Sequence, residues 1–442
     1  MSERVETLIV GAGISGLAAA QRLGSGACLV LEAAHRAGGL IQTVEGPHGL
    51  RFESGPETIS DAEGDALALM QELGLEVQRA PALASKRFLA LGGRLREIPM
   101  SPPKLLLSDL LPLPARLRLM SEPWRARDRA LEGSVADFML HRVGRGVLET
   151  LVDPMLSGIH GAAPEELSMR ACFPQLVRGV EEHGSLFAYL RYRTKQSSDD
   201  APKGPWRPKG GMARLPERLA QDLGPALRLG TRVDAIEPCS GGWRVRAGEE
   251  RFEAQRLILA TSQRVSGRLL AQLAPRASKL LSEAKNETLS VHVSAHRRED
   301  VEHALDGFGY LVPSSQGLRH LGTLFSSSLD PSCAPEGLVL LRTMLGGSRW
   351  PEVQHQSDEE IAALFEAEVN PLLGIRAPAL FSHTTHYVDA LPRYDLDQPA
   401  RVAQITADLP PDLELLGNHL HGIGIPALIR QSQYRARLDL PN

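Results

Sequence analysis

Apolar and polar positions along this 442-residue chain switch repeatedly between two periods. Thr7 to Val10 is a short β-branched run, Ile14 to Leu23 places its apolar residues at helical spacing, and Cys28 to Leu31 is apolar again before Glu32. The start of the chain therefore predicts strand, helix, strand, a βαβ unit. After Gly38-Gly39 the pattern turns extended through Gln42-Thr-Val44 and Leu50-Arg-Phe52, and from about Ser101 to Arg193 it is mostly helical, with prolines at helix starts. Thr194 to Gly211, rich in Ser, Asp, Pro, Lys and Gly, predicts an exposed loop between two domains. A helix over Met212 to Gln221 then leads into extended runs at Leu227-Arg-Leu229 and Arg232 to Pro238 and a small antiparallel meander reaching Thr261. Residues 276 to 404 mix strands and helices, and a last strand, Leu413 to Leu416, runs into Gly417-Asn418 and a closing helix. No internal repeat is visible, and the fold class is α/β.

Composition changes this picture little. With 43% hydrophobic and 23% charged residues the chain is an ordinary globular one of two or three domains. Cys28, Cys172, Cys239 and Cys333 form no C-x-x-C, which fits a reducing cytoplasm and argues against a zinc ribbon or a dithiol redox site. The acidic N-terminus is wrong for a secretory signal. Leu105 to Pro114, the longest later apolar run, is interrupted by Ser108 and Asp109, whereas a membrane-spanning helix needs ~20 mostly apolar residues. Charge is uneven: Lys86 to Arg129 holds ten basic and four acidic residues, a net +6 that leaves −10 for the rest of a chain whose total is −4. That segment favours anionic partners, and the acidic remainder speaks against nucleic acid.

The chemistry starts at Gly11-Ala12-Gly13-Ile14-Ser15-Gly16, which follows the first strand and opens the helix, with Glu32 placed 21 positions after Gly11. Gly11 permits the tight turn, Gly13 lets backbone approach a pyrophosphate, Gly16 lets helix and strand pack closely, and Glu32 accepts from ribose hydroxyls. This unit predicts dinucleotide binding without separating FAD from NAD. His383-x-x-His386 is no metal pair, because on an extended segment that spacing sends the rings to opposite faces. No Ser-His-Asp or Cys-His arrangement has motif support, and no second G-x-G-x-x-G exists for a nicotinamide domain.

Three further features select the flavin. Arg36-x-Gly38-Gly39 follows the acid, Leu257-Ile-Leu-Ala260-Thr261 is like a second flavin-side strand, and Gly417-Asn418 precedes Gly422-Ile423-Gly424-Ile425-Pro426 near the C-terminus. The arrangement resembles the FAD-dependent amine oxidase and protoporphyrinogen oxidase superfamily. Within it, the protoporphyrinogen oxidase family is the closer resemblance and covers nearly the whole chain. Phe52-Glu-Ser-Gly-Pro56, Gly93-Arg-Leu-Arg-Glu-Ile-Pro99, Leu167-Ser-Met169, His183-Gly-Ser-Leu186, Gly307-Phe-Gly-Tyr-Leu-Val-Pro313, Leu321-Gly-Thr-Leu-Phe-Ser326, Gly346-Gly-Ser-Arg349 and Leu391-Pro-Arg-Tyr394 carry it.

The resemblance implies a Rossmann-like FAD-binding domain built from discontinuous segments (1–75, 205–275 and 405–442), a mixed α+β substrate domain (76–95 and 276–404) and a helical, membrane-facing lobe (96–204). It implies non-covalent FAD held by the glycine turn, Glu32, Ala33, Arg36, Gly38, Gly39, Leu40, Ala260, Gly417, Asn418 and Ile423. Gly55, Pro56, Glu57 and Thr58 would run beside the flavin ring, with Tyr387 where relatives usually have tryptophan. Val233 would hold the adenine through its main chain, and Gly424 and Ile425 would face the pyrimidine edge. Arg96 corresponds to an arginine that pairs with a substrate propionate, and Leu311, Leu324 and Met344 to apolar walls around the tetrapyrrole. Many relatives carry Asn-Asp-Cys-Ile where this chain has Pro426-Ala-Leu-Ile429, a change that spares backbone contacts but not a side-chain role.

The activity so implied is six-electron oxidation of protoporphyrinogen IX to protoporphyrin IX in three two-electron steps, with O2 or a quinone as acceptor and no catalytic side chain or metal. A membrane surface, attracted by Lys104, Arg116, Arg118, Arg125, Arg127 and Arg129 beside Leu105 to Leu111, and a ferrochelatase are the implied partners of a cytoplasmic, peripherally attached enzyme. Coproporphyrinogen oxidation, an amine oxidase or carotenoid desaturase, and a non-enzymatic FAD protein are the alternatives.

Overall fold

The computed structural model describes residues 3–61, 63–124, 132–196 and 204–437. Its first sheet is centred on Glu3–Val10, flanked by Cys28–Leu31 and then Leu227–Arg228 on one side and by Glu250–Leu259 on the other, all parallel. Leu413–Leu415 extends the parallel set, and the first half of Glu250–Leu259 pairs antiparallel with Gly242–Ala247, which pairs with Ala235–Cys239. Leu8, Ile9, Val10 and Leu29 to Leu31 are all buried because both faces are covered. Ile9 and Val30 pack under the helices Ile14–Leu23, Arg214–Leu223 and Ile425–Arg437, while Leu8, Val10 and Leu31 face the meander and the helices Gln263–Leu269, Pro275–Glu283 and Gln398–Asp408.

The second sheet has seven strands in the order Phe381–Pro392, Asn286–Arg297, Leu338–Gly346, His320–Leu324, Gly309–Leu311, Arg87–Leu91, Arg94–Glu97. Its back face, with Tyr310, Val312 and Leu341, packs on Phe365 of the helix Asp358–Glu368. A lobe of short helices between Pro102 and Gln196 has its own core around Phe138, Leu156 and Val177, into which Tyr394 inserts.

The segment Thr194 to Gly211 departs from its expected form. The helix Leu186–Gln196 enters it, residues 197–203 lie outside the described residues, and Pro205–Pro208 is a strand paired with Ile59–Ser60 and Val77–Arg79. Composition misleads here because Arg207, in a stretch of loop-forming residues, is only 2% exposed. It donates to Glu53 at 2.9 Å and Glu57 at 3.4 Å and lies 3.3 Å from Asp330. Arg51 reaches the same Asp330 at 3.1 Å, and Arg342 approaches Glu57 to 3.8 Å. Burial, then repulsion from Glu57, push the Glu53 carboxyl up to about 7. The cluster joins the first eighty residues to the second sheet.

Removing one member of a buried ionic cluster leaves opposite charges unpaired, at about 3–5 kcal/mol. Arg207→Met is therefore expected to lower unfolding free energy by roughly that amount. Urea denaturation showing a loss below about 1 kcal/mol, the range of a surface pair, would refute the burial described.

Candidate active site

The glycine turn forms around one close approach. Gly11 takes φ +104°, its N–H donates to Leu31 O at 2.8 Å, and a Cβ on it would stand 2.6 Å from Ala260 O. A Cβ on Gly16 would fall 2.0 Å from Gly11 O, so the helix can sit this near the turn only with glycine there. Above Gly13, in contrast, nothing lies within 4 Å of a Cβ position, and no side chain caps the helix it begins. Ile14 and Ser15 are buried in that first turn, whose N–H groups have no intrahelical acceptor. An uncapped helix start opening on free space is a site for an anionic group.

Glu32 closes one end of this groove. Its Oε2 accepts from Ala12 N at 2.7 Å and its Oε1 from Ala34 N at 2.9 Å, beside exposed Ala33. Thr231 N donates to Glu32 O, which brings the buried Val233 segment alongside. Arg36 braces the next loop by donating to Gly39 O at 2.6 Å and Ile41 O at 3.3 Å. Gly38 N donates to Ala12 O, Gly39 lies against Gly13, and Leu40 is 45% exposed. Gly55 packs directly on Leu40 O, which a Cβ would approach to 1.8 Å. A continuous path thus runs from Gly13 over Gly39 and Leu40 to Gly55 and Pro56, with buried Glu57 and then Thr58 behind it.

At the far end of this path stands the front face of the second sheet. Pairing places Arg96, Leu89, Leu311, Gly322, Met344 and Val291 in one row across six strands. Opposite partners share a face, and so do residues two apart. Leu324 and Arg342, themselves paired, therefore belong to the same face, as does Tyr387 in the row of Leu289 and Gly346. Leu311, Leu324 and Met344 are only half buried although their strand neighbours are largely buried, which marks an incompletely covered apolar wall. Arg342 donates to Glu53 O and Gly55 O, and Tyr387 OH donates to Ser54 Oγ at 3.0 Å. Arg96, at the exposed edge, donates to Asp109 at 2.7 Å.

Two more segments frame the wall. The helix Asp153–His160 crosses it, with Gly158 against Leu311, and leaves Ile159 exposed. Tyr394 OH donates to Asn418 O at 2.7 Å and accepts from Gly422 N at 2.6 Å, which ties the C-terminal loop carrying Gly417, Ile423, Gly424 and Ile425 to the segment that leaves the strand Phe381–Pro392 and enters the core of the helical lobe. Burial holds His160 and His419 down at about 4, so both are neutral. His383 lies beside Phe52 while His386 bonds Ser290, so the two rings occupy opposite faces.

A profile of the family described as flavin containing amine oxidoreductase matches residues 14–418. The chain belongs to that family. Mitochondrial protoporphyrinogen oxidase of Nicotiana tabacum is 29% identical over 94% of this chain and 91% of its own length, and coproporphyrinogen III oxidase of Staphylococcus aureus is 26% identical over 97% of each. A crystal structure of a protein from Exiguobacterium sp. 255-15 superposes with a TM-score of 0.83 at 22% identity, over 99% of this chain and 98% of that one.

This member of the family is an FAD-dependent oxidoreductase, and its residues fit that cofactor. A flavin on a dinucleotide needs amides for pyrophosphate, an acceptor for ribose and a glycine-lined path for the remainder, and all three are present along Gly13, Glu32 and Gly39 to Gly55. Glu32 uses one acceptor position on each oxygen and keeps capacity for the ribose hydroxyls. Reading motifs quoted Tyr394 within Leu391-Pro-Arg-Tyr394 without giving it a task, and missed Arg342 and Ile159. Only Arg342 had a signal, a charge in the middle of the apolar run Leu338 to Leu345.

Glu32→Ala removes both the charged acceptor offered to the ribose and the acceptor of Ala12 N in the glycine turn. FAD binding to the apoprotein is expected to weaken by about 1–3 kcal/mol, read by fluorescence titration. Unchanged affinity would show that Glu32 does not face the ribose.

Proposed function

We propose that this chain oxidises protoporphyrinogen IX to protoporphyrin IX in haem biosynthesis. The half-buried wall of Leu311, Leu324 and Met344, with Arg96 in the same row about 10 Å from Leu311, two inter-strand spacings away, carries the reading. A broad apolar ring bearing carboxylates at its rim matches an apolar wall with a guanidinium at its edge. The relatives named for protoporphyrinogen and coproporphyrinogen oxidation support the same substrate class.

FAD, when bound, supplies the two-electron chemistry as an acceptor of hydride equivalents. The remaining work belongs to the protein: Leu311, Leu324 and Met344 exclude water and orient the ring, and Arg96 leaves Asp109 for a propionate. In this reading Gly55, Pro56 and Tyr387 lie along the flavin ring, Gly424 and Ile425 at its pyrimidine edge, and Val233 at the adenine. Six electrons leave the substrate in three such rounds, with O2 or a quinone as final acceptor. The 1–75, 205–275 and 405–442 segments form the cofactor domain, 76–95 and 276–404 the substrate domain. Coproporphyrinogen III is the second reading, favoured by Arg94 two residues from Arg96 and by the full-length match to the S. aureus protein.

The helical lobe, 96–204, is proposed to rest on a lipid surface. Among the described residues no helix is long and apolar enough to cross a membrane. The helix Leu113–Met120 instead buries Ala115 and Leu119 and exposes Leu113, Leu117 and Met120, next to Leu107 and Trp124, each 83% exposed. Apolar side chains thus accompany the cations of the charge count, of which Lys104 stays exposed. Arg118 turns inward to donate to Leu140 O and Arg142 O, Arg116 donates to Leu111 O, and Arg125, Arg127 and Arg129 lie outside the described residues.

Two measurements test these readings. Arg96→Ala should raise KM for protoporphyrinogen roughly 10- to 100-fold, about 1.5–3 kcal/mol, with a smaller fall in kcat, and Lys should restore part of the loss. A kinetically silent Arg96→Ala would place the substrate elsewhere. In liposome flotation, Leu117→Glu should abolish binding that added salt only weakens, and equal recovery of both proteins would remove the lipid surface.

A further inference from the structure

The strand Leu338–Gly346 carries Arg342 among apolar residues, Thr and Gly, and the residue is buried. A buried guanidinium is tolerated when its donors are used. Here they are directed at backbone: Nε donates to Glu53 O at 3.2 Å and Nη2 to Gly55 O. Tyr387 bonds the residue between them through Ser54 Oγ. One sheet face thus pins three successive residues, 53, 54 and 55. On its other side the same segment is held by Ser54 N donating to Gln42 O and by Gly55 packed against Leu40 O. A cation whose only task was neutralisation would point its fork at a carboxylate, as Arg207 does at Glu53. Arg342 keeps Glu57 at 3.8 Å and binds carbonyls instead.

We propose that Arg342 is a positioning residue for the flavin, fixing the Glu53–Gly55 backbone in the cofactor groove and placing a buried positive charge at the ring end of that groove. The inference rests on the placement of the flavin ring along Gly55 and is independent of the substrate.

The test uses full-length apoprotein and holoenzyme of wild type, Arg342→Met, Arg342→Lys and Arg142→Met. The last removes another fully buried arginine, in the helical lobe and away from the groove. Arg342→Met is expected to weaken FAD at least tenfold and to shift the two-electron equilibrium toward oxidised flavin at least tenfold, about 30 mV in midpoint potential. Arg342→Lys, which keeps charge but not the fork, should weaken FAD while holding the potential near wild type. Arg142→Met should lose thermal stability with neither change. FAD affinity that falls only in step with melting temperature, at an unmoved potential, overturns the inference and leaves the cofactor assignment standing. If Arg342→Met does not fold, unchanged FAD affinity in folded Arg342→Lys overturns it equally. Wild-type apoprotein that takes up no FAD overturns both.

Discussion

Ionised groups withdrawn from water must be paired, and in this protein that requirement falls on one small volume. Glu53, Glu57 and Asp330 meet Arg51, Arg207 and Arg342 there, nearly all of them buried. The six come from four separate stretches of chain, so no element can form the cluster alone. Once Arg207 is placed, the strand Pro205–Pro208 is fixed against Ile59–Ser60 and Val77–Arg79, and Glu53 is drawn in to accept from Met212 N at the start of the helix Arg214–Leu223. Asp330 and Arg342 extend the same constraint into the second sheet. The relation between the dinucleotide groove and the apolar wall therefore depends on charge pairing, which demands specific partners in a way that hydrophobic contact does not.

Around that cluster the groove is shaped by missing side chains. Gly11, Gly16 and Gly55 each occupy a position where a Cβ would meet a carbonyl oxygen at 2.6 Å or less, so the chain segments touch backbone to backbone. Such contact narrows the floor and leaves the space above Gly13 open. The opposite device shapes the sheet, where large apolar side chains stand in register on a face that no element fully covers. A helix start suited to anions at one end and an oily wall at the other give one elongated site two chemistries.

Legibility in the sequence followed distance along the chain. Ile14–Leu23 and Cys28–Leu31 form as read because periodicity, glycine turn and closing acid all lie within about thirty residues. Arg96, Leu311 and Met344 were named together only through the family resemblance, and their common row was not legible from periodicity, since Leu89 meets Leu311 through a parallel pairing that no local pattern announces. Pro205–Pro208 was masked by its own composition, its strand character coming from partners far away in sequence. Arg118 was assigned to a membrane surface by the local excess of basic residues, yet it binds the carbonyl end of the helix Val135–Arg142, as cations do at helix C-termini.

Arg96 joins these observations to the proposed substrate. Its partner Asp109 lies between the helices Pro102–Leu107 and Leu113–Met120, which carry the exposed Leu107, Leu113 and Leu117. The edge of the apolar wall and the apolar surface of the lobe are therefore neighbours through a single exposed ion pair. An exposed pair of this kind holds weakly, on the order of 0–1 kcal/mol, so a carboxylate arriving on an apolar ring can displace Asp109 at little cost. On the proposed reading the ring need not pass through bulk water, because the surface that would meet lipid adjoins the guanidinium that would receive its carboxylate. Placing the anchor at a sheet edge rather than inside the wall then follows from the substrate's own chemistry. Its carboxylates stay near solvent, and only its apolar body has to be buried.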